Sequence, residues 1–214
     1  MSLDDIAKKH GTDKSSISHN YTKYYELLFS PIQNQRLKII EIGIASGASL
    51  RMWKEYFPLA TIYGIDVSLG YKKYEEERIN VIAGDQNNSD FLKTLYTTVG
   101  ECDIIIDDGS HVSKHQVTSF THLFPLVKAG GYYVIEDLHT SYLKNFLLDS
   151  PLPTTDFLKN LVDDMNMRGK SQYANKNLIV PHLKKQNISL NYYEETIESI
   201  MFFPSICFIK KLGA

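Results

Sequence analysis

Between residues 37 and 135 the chain alternates short continuous apolar runs with amphipathic stretches, and this rhythm limits its fold more than any other feature. Apolar runs at 37–44, 61–67, 79–83, 103–106 and 132–135 read as buried strands. Between them, 49–57 carries Leu50, Trp53 and Phe57 on one face, and 114–127 carries Phe120, Leu123 and Val127. The stretch 89–99 is a further helix with Ser89 as its N-cap, and the polar residues after Val67 are mostly helical. Continuous apolar strands joined by helical crossovers specify a parallel sheet covered on both faces. At the end, 199–203 and 206–211 are joined across Pro204-Ser205, too close for a helical crossover, so they pair antiparallel. The expected fold is α/β: a doubly wound, mostly parallel seven-stranded sheet with an antiparallel C-terminal hairpin.

Helical segments at 4–10 and 21–29 flank a polar loop beginning at Gly11, and 155–165 is helix-like. With 214 residues, 43% of them hydrophobic, the chain fits one domain over 1–214. Residues 1–30 form an N-terminal helical or lid segment, and 143–186 form an insertion that could cap or frame a site. Twenty-three basic against 25 acidic residues leave no basic excess for a nucleic-acid surface. No run has the apolar length of a membrane span, and the first residues do not read as a signal peptide. Cys102 and Cys207 sit within apolar runs as buried free thiols, which points to a reduced, cytoplasmic setting.

Chemistry concentrates at the strand ends. The fourth strand ends in Asp107-Asp108-Gly109-Ser110-His111 and the fifth in Glu136-Asp137-Leu138-His139. Clustered carboxylates repel unless a cation or shared proton compensates them, so a hard divalent metal with a nearby base is indicated. Asp108, Glu136 and Asp137 supply oxygen ligands without cysteine, which favours magnesium or manganese over zinc. His111 is placed to act as general base. His115 reads as structural, His139 and Tyr142 could touch an acceptor, and His10, His19, His122 and His182 receive no role. The alternative is plain: such acids can be solvated or cap the next helix, and His111 can bond its own turn.

The first strand runs into Glu41-Ile42-Gly43-Ile44-Ala45-Ser46-Gly47-Ala48-Ser49, where glycines let backbone approach a ligand at a helix start. Asp66 ends the second strand where an acid can take both hydroxyls of a ribose. Asp85-Gln86 follows the third and could hold an adenine amino group. Either acid alone also fits an ordinary loop residue. Only two glycines are present, so a dinucleotide dehydrogenase is disfavoured.

These segments, with Tyr63-Gly-Ile-Asp66 and the terminal hairpin, resemble a Rossmann-like S-adenosylmethionine-dependent methyltransferase. Adding Gly11-Thr-Asp-Lys14, Ser49-Leu-Arg-Met-Trp53, Ile106-Asp-Asp-Gly-Ser-His111, His115-Gln116 and Val134-Ile-Glu-Asp-Leu138 narrows the resemblance. It is to the magnesium-dependent sugar O-methyltransferases of macrolide-type pathways, which share motifs with a cephalosporin-pathway methyltransferase group. The similarity runs over 11–142 and returns at the hairpin, in a chain much shorter than those enzymes. The resemblance implies S-adenosylmethionine bound by Glu41, Gly43, Ala45, Gly47, Ser49, Asp66, Asp85, Gln86 and Asp107. The 11–21 loop and Ser49 or Arg51 are candidates for the cofactor carboxylate. It also implies metal at Asp108, Glu136 and Asp137, and a sugar hydroxyl on a small molecule as acceptor. Non-sugar or phosphoryl-type acceptors, and a non-catalytic cofactor-binding scaffold, remain alternatives. The sequence leaves a homo-oligomer open, because the loop near 11–20 could cross to a neighbouring subunit.

Overall fold

A computed structural model describes residues 1–167 and 189–213. Strands β1 (Lys38–Ile42), β2 (Thr61–Asp66), β3 (Ile79–Ala83), β4 (Cys102–Asp107), β5 (Val127–Ile135), β6 (Ile197–Phe203) and β7 (Ile206–Lys211) form one sheet. Their order is β3-β2-β1-β4-β5-β7-β6. The first five are parallel neighbours, and β7 inserts antiparallel between β5 and β6. The strand order reverses between β1 and β4, so the loops leaving their carboxyl ends diverge and open a crevice there.

Helices α1 (Leu3–His10), α2 (Thr22–Phe29), α3 (Ala48–Tyr56), α4 (Ser89–Thr98), α5 (Ser113–Leu123), α6 (Lys144–Leu147), α7 (Thr154–Met167) and α8 (Tyr192–Thr196) accompany it. Side chains alternate between two cores. Ile39 packs with Tyr25, Phe29, Trp53 and Phe208, while Ile40 packs with Phe120, Tyr133 and Leu158 on the other face. Both faces are therefore buried, as continuous apolar strands require. α1 starts with a capping box between Ser2 and Asp5 and stops at Gly11, whose φ of 72° is left-handed.

Two local expectations are corrected. The fifth helix ends at Leu123, not Val127, because Pro125 cannot donate a helical hydrogen bond and a 3-10 turn over Phe124–Leu126 follows. Val127 is thereby released to begin β5, well before the expected start at Tyr132. The N-cap of α4 is Asn88, whose side chain accepts from the backbone N–H groups of Asp90 and Phe91, and Ser89 is the first helical residue.

Of the expected 143–186 segment, residues 168–186 lie outside the described residues. Its described part is tied to the core: Thr154 donates to Gln116 at 2.7 Å, and Leu158 and Leu161 of α7 are buried. Cys102 and Cys207 are buried and free. Among the described residues no helix is long and apolar enough to cross a membrane.

Candidate active site

A cleft of about 670 Å³ lies over the carboxyl ends of β1 to β5. Its walls include Gly43, Ala45, Ser49, Asp66, Asp85 and Gln86, with Asp108, His111 and Asp137 at one end. Gly43 makes this approach possible. Its φ is +93°, and a Cβ there would sit 2.1 Å from the Asp108 carbonyl oxygen. The loops after β1 and β4 thus meet backbone to backbone beneath the cleft.

Asp66 accepts from the Ile44 backbone N–H through Oδ2 at 3.0 Å, which fixes the carboxylate beside the glycine turn. Gln86 is buried and spoken for: its amide nitrogen donates to Asp107 and Ser119, and its oxygen accepts from the Ser110 N–H at 2.7 Å. Asp107 lies behind the cleft wall, fully buried against Gln86 and the Tyr133 hydroxyl, and burial pushes its pKa up to about 6. Gly47 is the left-handed N-cap of α3, and Arg51 donates to the Ser46 carbonyl rather than lining the cleft.

The chemical end is denser. Successive side chains at a strand end point to opposite faces, so adjacent acids separate. Asp107 faces the α5 side, whereas Asp108, Glu136 and Glu41 all meet the ammonium of Lys14 on the opposite face. Lys14 is fully buried; its Nζ donates to Asp108 Oδ2 and, at 2.8 Å, to Glu136 Oε2, and lies 3.4 Å from Glu41 Oε1. Burial works against the charge on Lys14, but these three carboxylates hold its pKa well above the usual lysine range. The Tyr25 hydroxyl donates to Glu136 Oε1, so both oxygens of Glu136 are engaged away from the cleft. Burial pushes Glu136 well up and raises Asp108, while the carboxyl of Glu41 rises to about 7.

Asp137 escapes this alternation because its backbone turns left-handed, with φ 56°. Its Oδ1 accepts from the Tyr21 hydroxyl at 2.7 Å and lies 3.0 Å from His19 Nδ1. The Nε2 of His111, itself at φ 58°, is 3.5 Å from Asp137 Oδ2. Burial opposes ionisation of Asp137, yet the Tyr21 hydroxyl and the imidazoles of His111, His19 and His139 hold it below the usual carboxylate range. One ligand atom each from Asp108, His111 and Asp137 lie within 4.8 Å of one another, a spacing that suits a single cation. Of the three acids expected at a metal, Asp108 and Asp137 converge here with His111, while Glu136 shares the Lys14 ammonium with Asp108.

His139 bonds Ser205 Oγ at 2.6 Å and stands 3.9 Å from Asp137, while Tyr142 is exposed just beyond. His115 lines the cleft and pairs with Ser110 Oγ at 2.8 Å. The sequence offers the 11–21 loop for a cofactor carboxylate and gives no individual role to Lys14, His19, Tyr21 or Tyr25, all of which reach the acids from the N-terminal segment. The Gly11-Thr-Asp-Lys14 motif was the available signal.

No protein-family model matches the chain. It is 36% identical over 219 residues to the 8-demethyl-8-alpha-L-rhamnosyl tetracenomycin-C 2'-O-methyltransferase of Streptomyces olivaceus, covering 98% of this chain and 54% of that protein. It is 34% identical over 221 residues to the mycinamicin VI 2''-O-methyltransferase of Micromonospora griseorubida, covering 98% and 52%. The chain therefore spans about half the length of the curated relatives it matches. Among solved structures, MycE methyltransferase from the mycinamycin biosynthetic pathway in complex with Mg and SAH superposes with a TM-score of 0.87 at 32% identity. That match covers 100% of this chain and 55% of MycE; the complex with Mg, SAH and mycinamycin VI gives 0.86. By sequence and by fold, the chain is similar to these O-methyltransferases, and its seven-stranded sheet with an antiparallel terminal hairpin superposes on MycE over its whole length.

Proposed function

We propose that this protein is an S-adenosylmethionine- and magnesium-dependent O-methyltransferase acting on a sugar hydroxyl of a small glycosylated molecule. One observation carries the reading: Asp108, His111 and Asp137 converge at the end of the cleft that Gly43 and Asp66 shape.

The residues present fit both groups. Gly43 leaves a cradle that any Cβ would fill, and Asp66 is held beside it, as a ribose site needs. Glu41, Gly47 and Asp107 support this wall from behind, while Ala45, Ser49, Asp85 and Gln86 line it. The hard donors Asp108 and Asp137, without a cysteine, suit magnesium, with manganese as a substitute. Glu136 belongs to this centre as the anchor of Lys14.

Bound S-adenosylmethionine supplies an electrophilic methyl on a cationic sulfur. A bound divalent ion supplies Lewis acidity that lowers a hydroxyl pKa and orients adjacent oxygens. The chain's own residues do the rest. His111 takes the hydroxyl proton at Nε2, and Asp137, 3.5 Å away, stabilises the imidazolium that results. Asp66 and the glycine turn hold the donor side still, so most of the acceleration comes from alignment. His139 and the exposed Tyr142 stand where the acceptor enters. Residues 1–30 cover the acids, and the 143–167 part of the segment after β5 frames the acceptor side. Two buried free thiols agree with a reduced, cytoplasmic setting.

The test is methyl transfer from S-adenosylmethionine to rhamnosyl and related glycosides, with magnesium and with excess chelator. Transfer that needs magnesium and disappears in His111→Ala supports the reading. Full activity in chelator would refute the metal role. A His111→Ala variant that binds magnesium normally yet fails to turn over identifies the base; one that loses the ion makes His111 a ligand.

A further inference from the structure

Gln86 stands in the wall of the cofactor end, yet its amide is committed inside the protein. The residue is 5% exposed, and its nitrogen donates to Asp107 Oδ1 and to Ser119 Oγ, both at 3.1 Å. Its oxygen accepts from the Ser110 N–H at 2.7 Å. An adenine amino group needs an acceptor, and the one that Gln86 owns is already given to Ser110. A Cβ on Gly109 would sit 2.0 Å from that same oxygen, so the amide fills the space of the missing side chain. One side chain thus joins the loop after β3 to the end of β4, to α5 and to the 109–112 turn.

That turn carries His111 at a φ of 58°, a left-handed conformation that a residue with a full side chain keeps only where its surroundings over-determine it. The restraints are specific. Ser110 N–H is held by Gln86, Ser110 Oγ pairs with His115 Nδ1 at 2.8 Å, and the His111 carbonyl accepts from Thr140 Oγ1 at 3.1 Å. The imidazole itself has no such help. Its Nδ1 is buried, and among the described residues no group bonds to it. A catalytic imidazole is usually aimed by a hydrogen bond on its second nitrogen. Here the aim of Nε2 falls to the backbone turn instead.

We infer that Gln86 is a positioning residue for proton transfer: through the Ser110 N–H it locks the turn that aims His111, and so braces the base from the cofactor end. The inference rests on the reading of His111 as the base and adds the residue that holds it. A base works only within hydrogen-bond reach of the proton it takes, and a small misplacement is costly. Asp85, the neighbour of Gln86, lines the cleft, so the loop that faces the cofactor is also the loop that steadies the base.

The experiment compares wild type, Gln86→Met and Gly109→Ala as full chains. Gln86→Met removes the amide. Gly109→Ala keeps every polar group and uses one Cβ to push the amide oxygen off the Ser110 N–H. Circular dichroism checks folding, and if Gln86→Met does not fold, Gly109→Ala decides. Three quantities are read: cofactor affinity by titration of S-adenosylhomocysteine, kcat on a rhamnosyl glycoside at saturating S-adenosylmethionine, and amide hydrogen exchange over 109–112. The inference expects kcat to fall roughly 10–100-fold in both variants, with exchange at Ser110 faster and cofactor affinity close to wild type. A weaker cofactor affinity with kcat intact at saturation would make Gln86 an adenine ligand and overturn the inference. A lower melting temperature with kcat intact would make the link structural only and overturn it as well. Unchanged exchange at Ser110 would remove the link itself. No transfer by wild type overturns the methyltransferase reading and the inference with it, whereas variants as fast as an active wild type overturn the inference alone.

Discussion

The two ends of the cleft are built in different ways. At the β1–β3 end, the wall is made by residues whose hydrogen-bond partners lie 21 to 24 positions away: a glycine turn, one aspartate locked by the Ile44 backbone, and a glutamine whose amide is consumed in tying two loops together. At the β4–β5 end, the acids come from strand ends, but their partners come from residues 14 to 25, separated from them by 94 to 122 positions in the chain. Under the proposed function, the first end holds the cofactor by shape and backbone. The second is a charge cluster, stable only because a distant segment folds over it. Damage to the first should weaken binding in graded steps, whereas damage to the second should be abrupt.

The largest effect is expected at Asp108 and Asp137. Replacing either by alanine should abolish magnesium binding and turnover while cofactor affinity, set at the other end, stays near wild type; calorimetry and an activity assay together measure this split. Next is Lys14→Met, which leaves Asp108, Glu136 and Glu41 without their shared cation and should destabilise the chain by about 3–5 kcal/mol in urea unfolding. Gly43→Ala breaks the meeting of the two ends, since its Cβ would run into the Asp108 carbonyl at a left-handed φ. A cost of about 1–3 kcal/mol in stability is expected, together with weakened cofactor binding.

The smallest effect is a pH dependence. The folded pKa of Glu41 is raised from 4.5 to about 7 by burial, so the folded state holds its proton more tightly than the unfolded chain. The stability this contributes is present in full below pH 4.5 and is lost as pH rises through 7. Asp107, raised to about 6, acts in the same direction over 3.8 to 6. Without added metal, the melting temperature should therefore decline between about pH 5 and 8. Glu41→Gln should flatten that decline; an identical slope in the variant would remove Glu41 from the account.

The contrast between the ends also explains what the sequence could disclose. The mostly parallel sheet and the hairpin follow from apolar runs and one short connection, which are local signals, whereas the reversal between β1 and β4 is set by the packing of the whole sheet. The end of α5 was misplaced because an apolar run through Phe124-Pro125-Leu126-Val127 fits helix or strand equally well, and the proline decides. At the site, strand ends disclosed which residues are acidic but not which way each faces. Alternation sends Asp107 behind the cleft and Glu136 onto Lys14, and only the left-handed turn at Asp137 brings that acid into the cleft. Lys14 ends the Gly11-Thr-Asp-Lys14 motif, yet nothing within the motif says it is buried against acids so far along the chain. His19 carries no spacing signal at all, because its partner is fixed by the packing of α2 against the sheet.

The central claim is that one cleft holds two separable sites, a cofactor site shaped by Gly43 and Asp66 and a magnesium site at Asp108 and Asp137. It is tested most directly by titrating S-adenosylhomocysteine and then magnesium into wild type and Asp137→Ala. The account predicts cofactor binding in both proteins and a magnesium signal in wild type alone. Magnesium binding that survives in Asp137→Ala, or cofactor binding lost together with it, would contradict the division.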